Sequence, residues 1–267
     1  MGMMLVQKVK EIYPNIFEIK DYKVNVTLIK GEKLAILWDM GYGLYDLKSL
    51  VYSMINTPLM VIASHGHRDH VLGCSQFDEV YVSSKDKNLF IYSNSKKTRK
   101  LVSRNFVRKN LMSAKEAKKY VSRKMPKIKE IKIGEKIDLG GLHAEIISLH
   151  GHTKGSIGLL IKEQELLLTG DAVCNDLWLY LPESEKIDKC IEMLEVIMKL
   201  PFKNYIAAHK CMVYPKKQIL NILDVLKNLD VSARARRLYL AQDEVYENHK
   251  TTEYGIISVL FTEENLH

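Results

Sequence analysis

Cysteine is scarce in this chain: four in 267 residues, at Cys74, Cys174, Cys190 and Cys211, with no Cys-x-x-Cys pair among them. A disulfide-stapled fold is therefore not indicated, and the four read as free thiols in a reducing compartment. Long apolar runs are missing as well, and none approaches the ~18 residues that would suggest a membrane span. The apolar opening Met3-Met4-Leu5-Val6 meets Lys8, Lys10 and Glu11 at once, which is too short and too soon charged for a secretory signal. Val6 also breaks the pattern that would mark Gly2 for myristoylation. No internal repeat or low-complexity linker divides the chain. The expectation is a cytoplasmic protein with no membrane segment, folded as a single domain over residues 1–267, a length that buries one substantial core.

The net charge of +8 is unevenly placed. Residues 85–132 hold 17 Lys or Arg against the three acids Asp86, Glu116 and Glu130, so the rest of the chain is net acidic. The block includes Lys96, Lys97, Arg99, Lys100, Arg104, Arg108, Lys109, Lys118, Lys119, Arg123 and Lys124. Three readings compete: a phosphate-binding surface for nucleic acid, a lid that steers small anionic substrates, and a solvated helical face. A stacking platform of aromatic residues is not expected from this block, which disfavours nucleic acid as a partner.

What the chain does have is a dense run of metal-ligand chemistry. Ser64-His65-Gly66-His67-Arg68-Asp69-His70 places four candidate ligands in six residues, directly after the apolar strand of residues 59–63. Imidazole and carboxylate suit zinc and other borderline first-row metals. A sharply turning loop can aim His65 and His67 at one ion, and Asp69 and His70 at a neighbour. Both ions would then need ligands from elsewhere. His152 in Gly151-His152-Thr153, Asp171 in Thr169-Gly170-Asp171 and His209 in Ala207-Ala208-His209 supply them, each at or just after the end of a short apolar run. His143, His249 and His267 sit in polar contexts and read as surface residues. His150 stands two residues before His152 and would line a pocket, support His152, or do neither. Cys211, two residues beyond His209, reads as a small buried residue or as a neighbour of the metals.

These residues, in this order, resemble the metallo-β-lactamase superfamily of hydrolases, and within it the branch of glyoxalase II-type thioesterases and lactonases. The likeness takes in Trp38-Asp39-Met40-Gly41, similar to the Asp-x-Gly turn that members carry after an early strand, and covers roughly residues 12–210. It implies two adjacent divalent ions, zinc foremost, with iron or manganese as alternatives. His65, His67 and His152 would hold the first, and Asp69, His70 and His209 the second. Asp171 would bridge them together with a water or hydroxide. Two cations about 3.5–4 Å apart lower the pKa of a shared water and hold both attacking and leaving oxygens. Asp69 would also orient that hydroxide and pass its proton to the leaving group. Tyr180, which follows Asp171 in a loop with Trp178, would hydrogen-bond a developing oxyanion or simply pack there.

The organisation along the chain agrees. Residues 16–19, 24–29 and 34–38 read as a meander, 44–54 as a helix, 59–63 and 79–83 as strands, and 85–127 as a basic helical insertion ending near Pro126. A second strand-rich half follows: hairpins over 136–149 and 157–168, a helix over 184–199, and a strand over 205–208 leading to His209. An extension over about 215–262 holds a helix from 216 to about 237 and a closing strand over 254–261. Two strand-rich halves, each donating ligands from strand ends, suit an α/β fold of the αββα four-layer sandwich type, which the resemblance also implies. The chain after His209 is short for a glutathione-binding helical domain.

The functional expectation is a dinuclear metal-dependent hydrolase that opens a small ester, thioester or lactone through a metal-bridging hydroxide, with anionic substrates favoured by the basic block. One alternative is a metal-dependent phosphodiesterase or nuclease. Another is an iron-dependent oxidoreductase of the same superfamily, although di-iron members usually carry Glu in place of one cluster histidine, where this chain has His67.

Overall fold

The first strands form because apolar side chains recur at every second residue and tight turns separate the runs. β1 (Val9–Tyr13), β2 (Ile16–Asp21), β3 (Val24–Lys30) and β4 (Ala35–Trp38) pair antiparallel in sequence order, with Ile19 opposite Val26 and Leu28 opposite Leu37. β5 (Leu59–Ile62), β6 (Glu79–Ser83) and β7 (Lys127–Ile131) extend the same seven-stranded sheet in parallel. Parallel neighbours need crossovers, and helices usually make them. α1 (Leu47–Met54), capped by the Asp46 carboxylate on Ser49 N, carries the chain from β4 to β5. The short helix α2 (Arg68–Val71) follows β5.

The basic block is the crossover from β6 to β7. It holds α3 (Lys87–Ser93), α4 (Lys96–Arg108) and α5 (Ala114–Ser122), and Ser95 and Ser113 cap the last two. At Ser113 the cap is reciprocal with Glu116. Leu72, Val102, Phe106 and Tyr120 make a small core of their own beneath these helices. Arg99 corrects one expectation. It lies on the inner face of α4 with Val102, Ser103 and Phe106 and is 2% exposed. Its guanidinium donates to the Arg123 carbonyl and to Asn94 Oδ1, so it anchors the insertion and is no part of a solvated charged face.

The computed structural model describes residues 8–231 and 245–266, which divide into two compact units of interleaved chain. The first comprises residues 1–132, 137–142 and 209–211, and the second 133–136, 143–208 and 212–267. The expectations for the first six residues, for helix over 232–237 and for His267 fall outside the described residues. The second sheet includes β8 (Lys136–Asp138), β9 (His143–Ser148), β10 (Ile157–Ile161), β11 (Leu166–Gly170), β13 (Asn204–Ala207) and β14 (Val213–Pro215) in the order β14-β13-β11-β10-β9-β8, while β12 (Asp176–Leu179), described with the third sheet, lies between β11 and β13 in the chain. Every residue of β10 and β11 is buried, as continuous apolar runs in strands covered on both faces must be. α6 (Ile187–Ile197) and α7 (Gln218–Lys227) supply Leu194, Ile197, Ile219 and Ile222 to the same core. β12 pairs parallel with β16 (Gly255–Phe261), which pairs antiparallel with β15 (Tyr246–Thr252). The Trp178–Tyr180 segment is therefore mostly strand, not the loop expected, and α7 ends at Lys227. Together these elements are the mixed α/β fold that the sequence implied. Among the described residues no helix is long and apolar enough to cross a membrane.

One buried acid makes stability depend on pH. Glu18 of β2 takes a hydrogen bond from Asn25 Nδ2 and another with the Cys211 thiol, and burial pushes its carboxyl from 4.5 up to about 7. The folded chain thus binds this proton more tightly than the unfolded one. The stability it contributes is complete below about pH 4.5 and is lost as pH rises through about 7. Glu18→Gln is expected to raise stability at pH 8 by on the order of 2 kcal/mol and to flatten the profile between pH 5 and 8. Urea unfolding across that range checks it, and parallel wild-type and variant profiles would refute it.

Candidate metal centre

In the first unit, the loop between β5 and α2 turns tightly enough to present alternate side chains in one direction. Gly66 allows the loop to pack directly against α3. A Cβ there would sit 2.8 Å from Leu89 Cβ and from Phe90 N at the start of α3, closer than any side chain tolerates. The Gly66 N–H donates to the buried carboxylate of Asp86 at 2.7 Å. The root of the basic insertion thereby clamps the loop between its two histidines. His65 Nε2 and His67 Nδ1 are left 3.0 Å apart.

A hydrogen-bond relay fixes which nitrogens face inward. Asp39 follows β4 at φ +66°, a left-handed conformation that Asp tolerates better than most residues. Its buried carboxylate accepts from Ser64 N at 2.7 Å, from Ser64 Oγ at 2.8 Å and from His70 Nδ1 at 2.8 Å. Because the Ser64 hydroxyl donates to Asp39, it accepts from His65 Nδ1 at 2.9 Å. His209 Nδ1 donates to the Lys23 carbonyl at 3.0 Å. In each of these three rings the proton sits on Nδ1 and the lone pair on Nε2, the tautomer a metal ligand needs. Asp69 Oδ2 lies 3.7 Å from His70 Nε2 and 3.6 Å from His209 Nε2.

The second unit repeats the device. His152 Nδ1 donates to the Trp178 carbonyl at 2.9 Å, and Ser184 Oγ donates to the His152 carbonyl. His152 Nε2 faces Asp171 Oδ2 at 3.7 Å. Asp171 follows β11 directly, after Gly170 at φ +55°. Two donors each about 2.0–2.2 Å from one tetrahedral ion lie about 3.4 Å apart. The separations of 3.0 to 3.7 Å in both units match that spacing. With neutral imidazoles and carboxylates as the donor chemistry, these His and Asp groups could hold divalent metal.

The remaining expectations fall out separately. His150 bonds Ser148 Oγ at 3.2 Å through Nδ1. His143 is exposed and bonds Glu163, and His249 stands 3.7 Å from Glu247. Trp178 is 40% exposed and packs at 5.6 Å from Tyr180, which is buried. Cys211 is exposed, and burial of its sulfur together with its bond to Glu18 pushes the thiol up to about 11, away from a thiolate ligand. Asp86 and the relay role of Asp39 escape sequence reasoning. The first looks like one acid in a basic block, and the second like a turn residue.

Known proteins resemble this chain in sequence and in fold. The metallo-beta-lactamase superfamily matches residues 19–209, a span that contains all seven donors. Human acyl-coenzyme A thioesterase MBLAC2 is 25% identical over 191 residues, 66% of this chain and 68% of that protein. The metallo-beta-lactamase from Pontibacter korlensis shares the fold at TM-score 0.58 and 14% identity, over 84% of this chain and 100% of its own. A superfamily protein from the archaeon Sulfolobus tokodaii does so at TM-score 0.55 and 19% identity, over 82% and 85%. With the donor pattern and the fold in agreement, the chain belongs to the metallo-beta-lactamase superfamily.

Proposed function

We propose that this protein is a cytoplasmic, dinuclear metal-dependent hydrolase of small acyl esters, with thioesters the preferred class and zinc the resident metal. His65, His67 and His152 hold one ion, Asp69, His70 and His209 the other, and Asp171 serves both. The observation that carries it is the tautomer lock: four histidines, two of them in one loop, each tie Nδ1 to an acceptor, which puts the lone pair a metal ligand needs on Nε2. The name of the human relative supports thioesters over lactones. Divalent ions bound there would supply a nucleophile from water at neutral pH and polarise the acyl carbonyl.

The chain's own residues do the rest. Asp69, partly exposed between His70 and His209, takes a proton from the attacking water and returns it to the departing thiolate. Buried Tyr180 hydrogen-bonds the oxygen on which charge develops. Asp39 and Ser64 touch no substrate and keep His65 and His70 in one orientation. Elemental analysis of protein purified without added metal is expected to find about two equivalents of zinc, in line with a two-metal clamp. Acyl thioesters should turn over faster than matched lactones and phosphodiesters, and chelation should abolish activity. A protein rich in iron, or one faster on phosphodiesters, would overturn this reading in favour of oxidoreductase or nuclease chemistry.

A further inference from the structure

Beside the first unit's ligands lies a group of aromatic and cationic side chains that the catalytic reading leaves unused. Tyr22 in the β2–β3 turn, Tyr42 after β4 and Phe106 of α4 pack edge to face, with ring centroids 5.7, 5.6 and 5.4 Å apart. Two lysines flank Tyr22. Lys109, at the end of α4, places Nζ 5.6 Å from the ring centre and donates to the Tyr22 hydroxyl at 2.9 Å. Lys23 places its Nζ 5.8 Å from the same ring. The backbone carbonyl of this Lys23 orients His209. Arg68, half-buried between His67 and Asp69, supplies a third cation, and the Tyr42 hydroxyl senses both Arg68 and Asp69.

Two lysines thus meet the Tyr22 ring, one from a turn and one from the residue that caps α4, while Arg68 in the ligand loop acts on Tyr42 through its charge. Lys23 adjoins the candidate ligand His209 through its carbonyl, and Arg68 lies between His67 and Asp69 in the chain. Among the described residues no ion pair joins Lys23, Arg68 or Lys109 to a carboxylate. Elsewhere Lys33, Lys129, Lys189 and Lys227 are each held by an acid. Lysines already positioned by a ring and a hydroxyl lose less freedom on binding an anion than free surface lysines do. Phosphate, with its several acceptor oxygens, is the anion such a cluster of point charges and a guanidinium suits.

We propose that Lys23, Arg68 and Lys109, arranged around Tyr22 and Tyr42, bind the phosphate groups of the substrate's carrier, so that the natural substrate is an acyl thioester of a phosphorylated thiol. This rests on the thioester reading above and narrows it from the acyl group to the carrier. The test is binding, read by calorimetry on the metal-loaded protein with two thiols that share one arm: coenzyme A, which bears phosphates, and pantetheine, which bears none. Wild-type protein is expected to bind coenzyme A at least about tenfold more tightly, an advantage that shrinks as salt rises. The double variant Lys23→Gln/Lys109→Gln should lose about tenfold for coenzyme A. Lys96→Gln/Lys97→Gln removes the same charge from the start of α4 and should stay within about twofold.

Equal affinity for the two thiols, or equal losses in the two double variants, would overturn the proposal. So would a single-stranded oligonucleotide that displaces coenzyme A at lower concentration, which would assign the rim to nucleic acid. Hydrolysis of acyl-pantetheine by the wild-type protein reports on the thioesterase reading alone. Its presence without preference for coenzyme A therefore separates failure of this proposal from failure of that one.

Discussion

Asp39→Asn is expected to weaken metal binding by about 10- to 100-fold while leaving a folded protein. Asparagine keeps the size of Asp39 and tolerates its φ of +66°, so the backbone gives no separate reason for loss. The hydrogen bonds do. Asp39 accepts from Ser64 N, Ser64 Oγ and His70 Nδ1, and an amide has one oxygen to offer three donors. If the oxygen stays with Ser64, the amide NH2 meets His70 Nδ1–H. The ring then moves its proton to Nε2 and ceases to be a ligand. If the oxygen turns to His70, Ser64 loses its acceptor and with it the reason to receive the His65 proton. Either way one of two ligands is lost, and a buried donor left without a partner costs about 1–3 kcal/mol of stability. Competition against a chromogenic chelator measures the affinity. Wild-type affinity in a cooperatively folding Asp39→Asn protein would show that the relay does not govern the ligands.

That relay also marks how far the sequence could be read. The run from His65 to His70 is legible because its candidate ligands are packed into one loop, and the strand before it and the turn through Gly66 are both short-range events. His152, Asp171 and His209 are legible because each follows a short apolar run whose end a strand must place at a sheet edge. The family resemblance joins these scattered residues into one set, and the match over residues 19–209 bears out membership. Asp39 is a harder case. Its turn is visible in sequence, but its contact with His70 spans 31 residues, and nothing local announces it. Asp86 is hidden for the same reason, since it reaches Gly66 across 20 residues from the edge of a lysine-rich stretch.

The strands that escaped detection share a cause. β7 and β15 read Lys-Ile-Lys-Glu-Ile and Tyr-Glu-Asn-His-Lys-Thr-Thr, polar on most positions, because each is an edge strand with water on one side. Their pairing comes from partners far away or across a turn, which propensity does not report. Arg99 fails in the opposite direction. Composition assigns a charged residue to the surface, yet the helical period carries it inward with Val102 and Phe106, where two acceptors meet its guanidinium. The tyrosines beside Lys23 and Lys109 escape because they lie outside the basic block in sequence and reach it only through the fold.

The largest single effect is expected at Asp171. Of the seven proposed donors it alone serves both ions, so Asp171→Ala should leave neither fully coordinated. It also removes the one negative charge placed between two dications. Each ion then keeps only imidazoles, or imidazoles with Asp69, and the repulsion between them is no longer offset. The expected outcome is loss of most bound metal at both positions and a fall in thioester turnover of about a thousandfold or more, equivalent to about 4 kcal/mol of transition-state stabilisation. His152→Ala removes a ligand from one ion only. It should leave about one equivalent of metal in place, bound by Asp69, His70, His209 and Asp171. The comparison controls for packing, because both side chains end in the same unit, with Nε2 and Oδ2 3.7 Å apart. Elemental analysis after dialysis, with unfolding curves to establish that each variant is folded, decides the matter. A folded Asp171→Ala protein with near-wild-type content of both metals would remove the bridging role, and Asp171 would then have to be read as a ligand to one ion or to none.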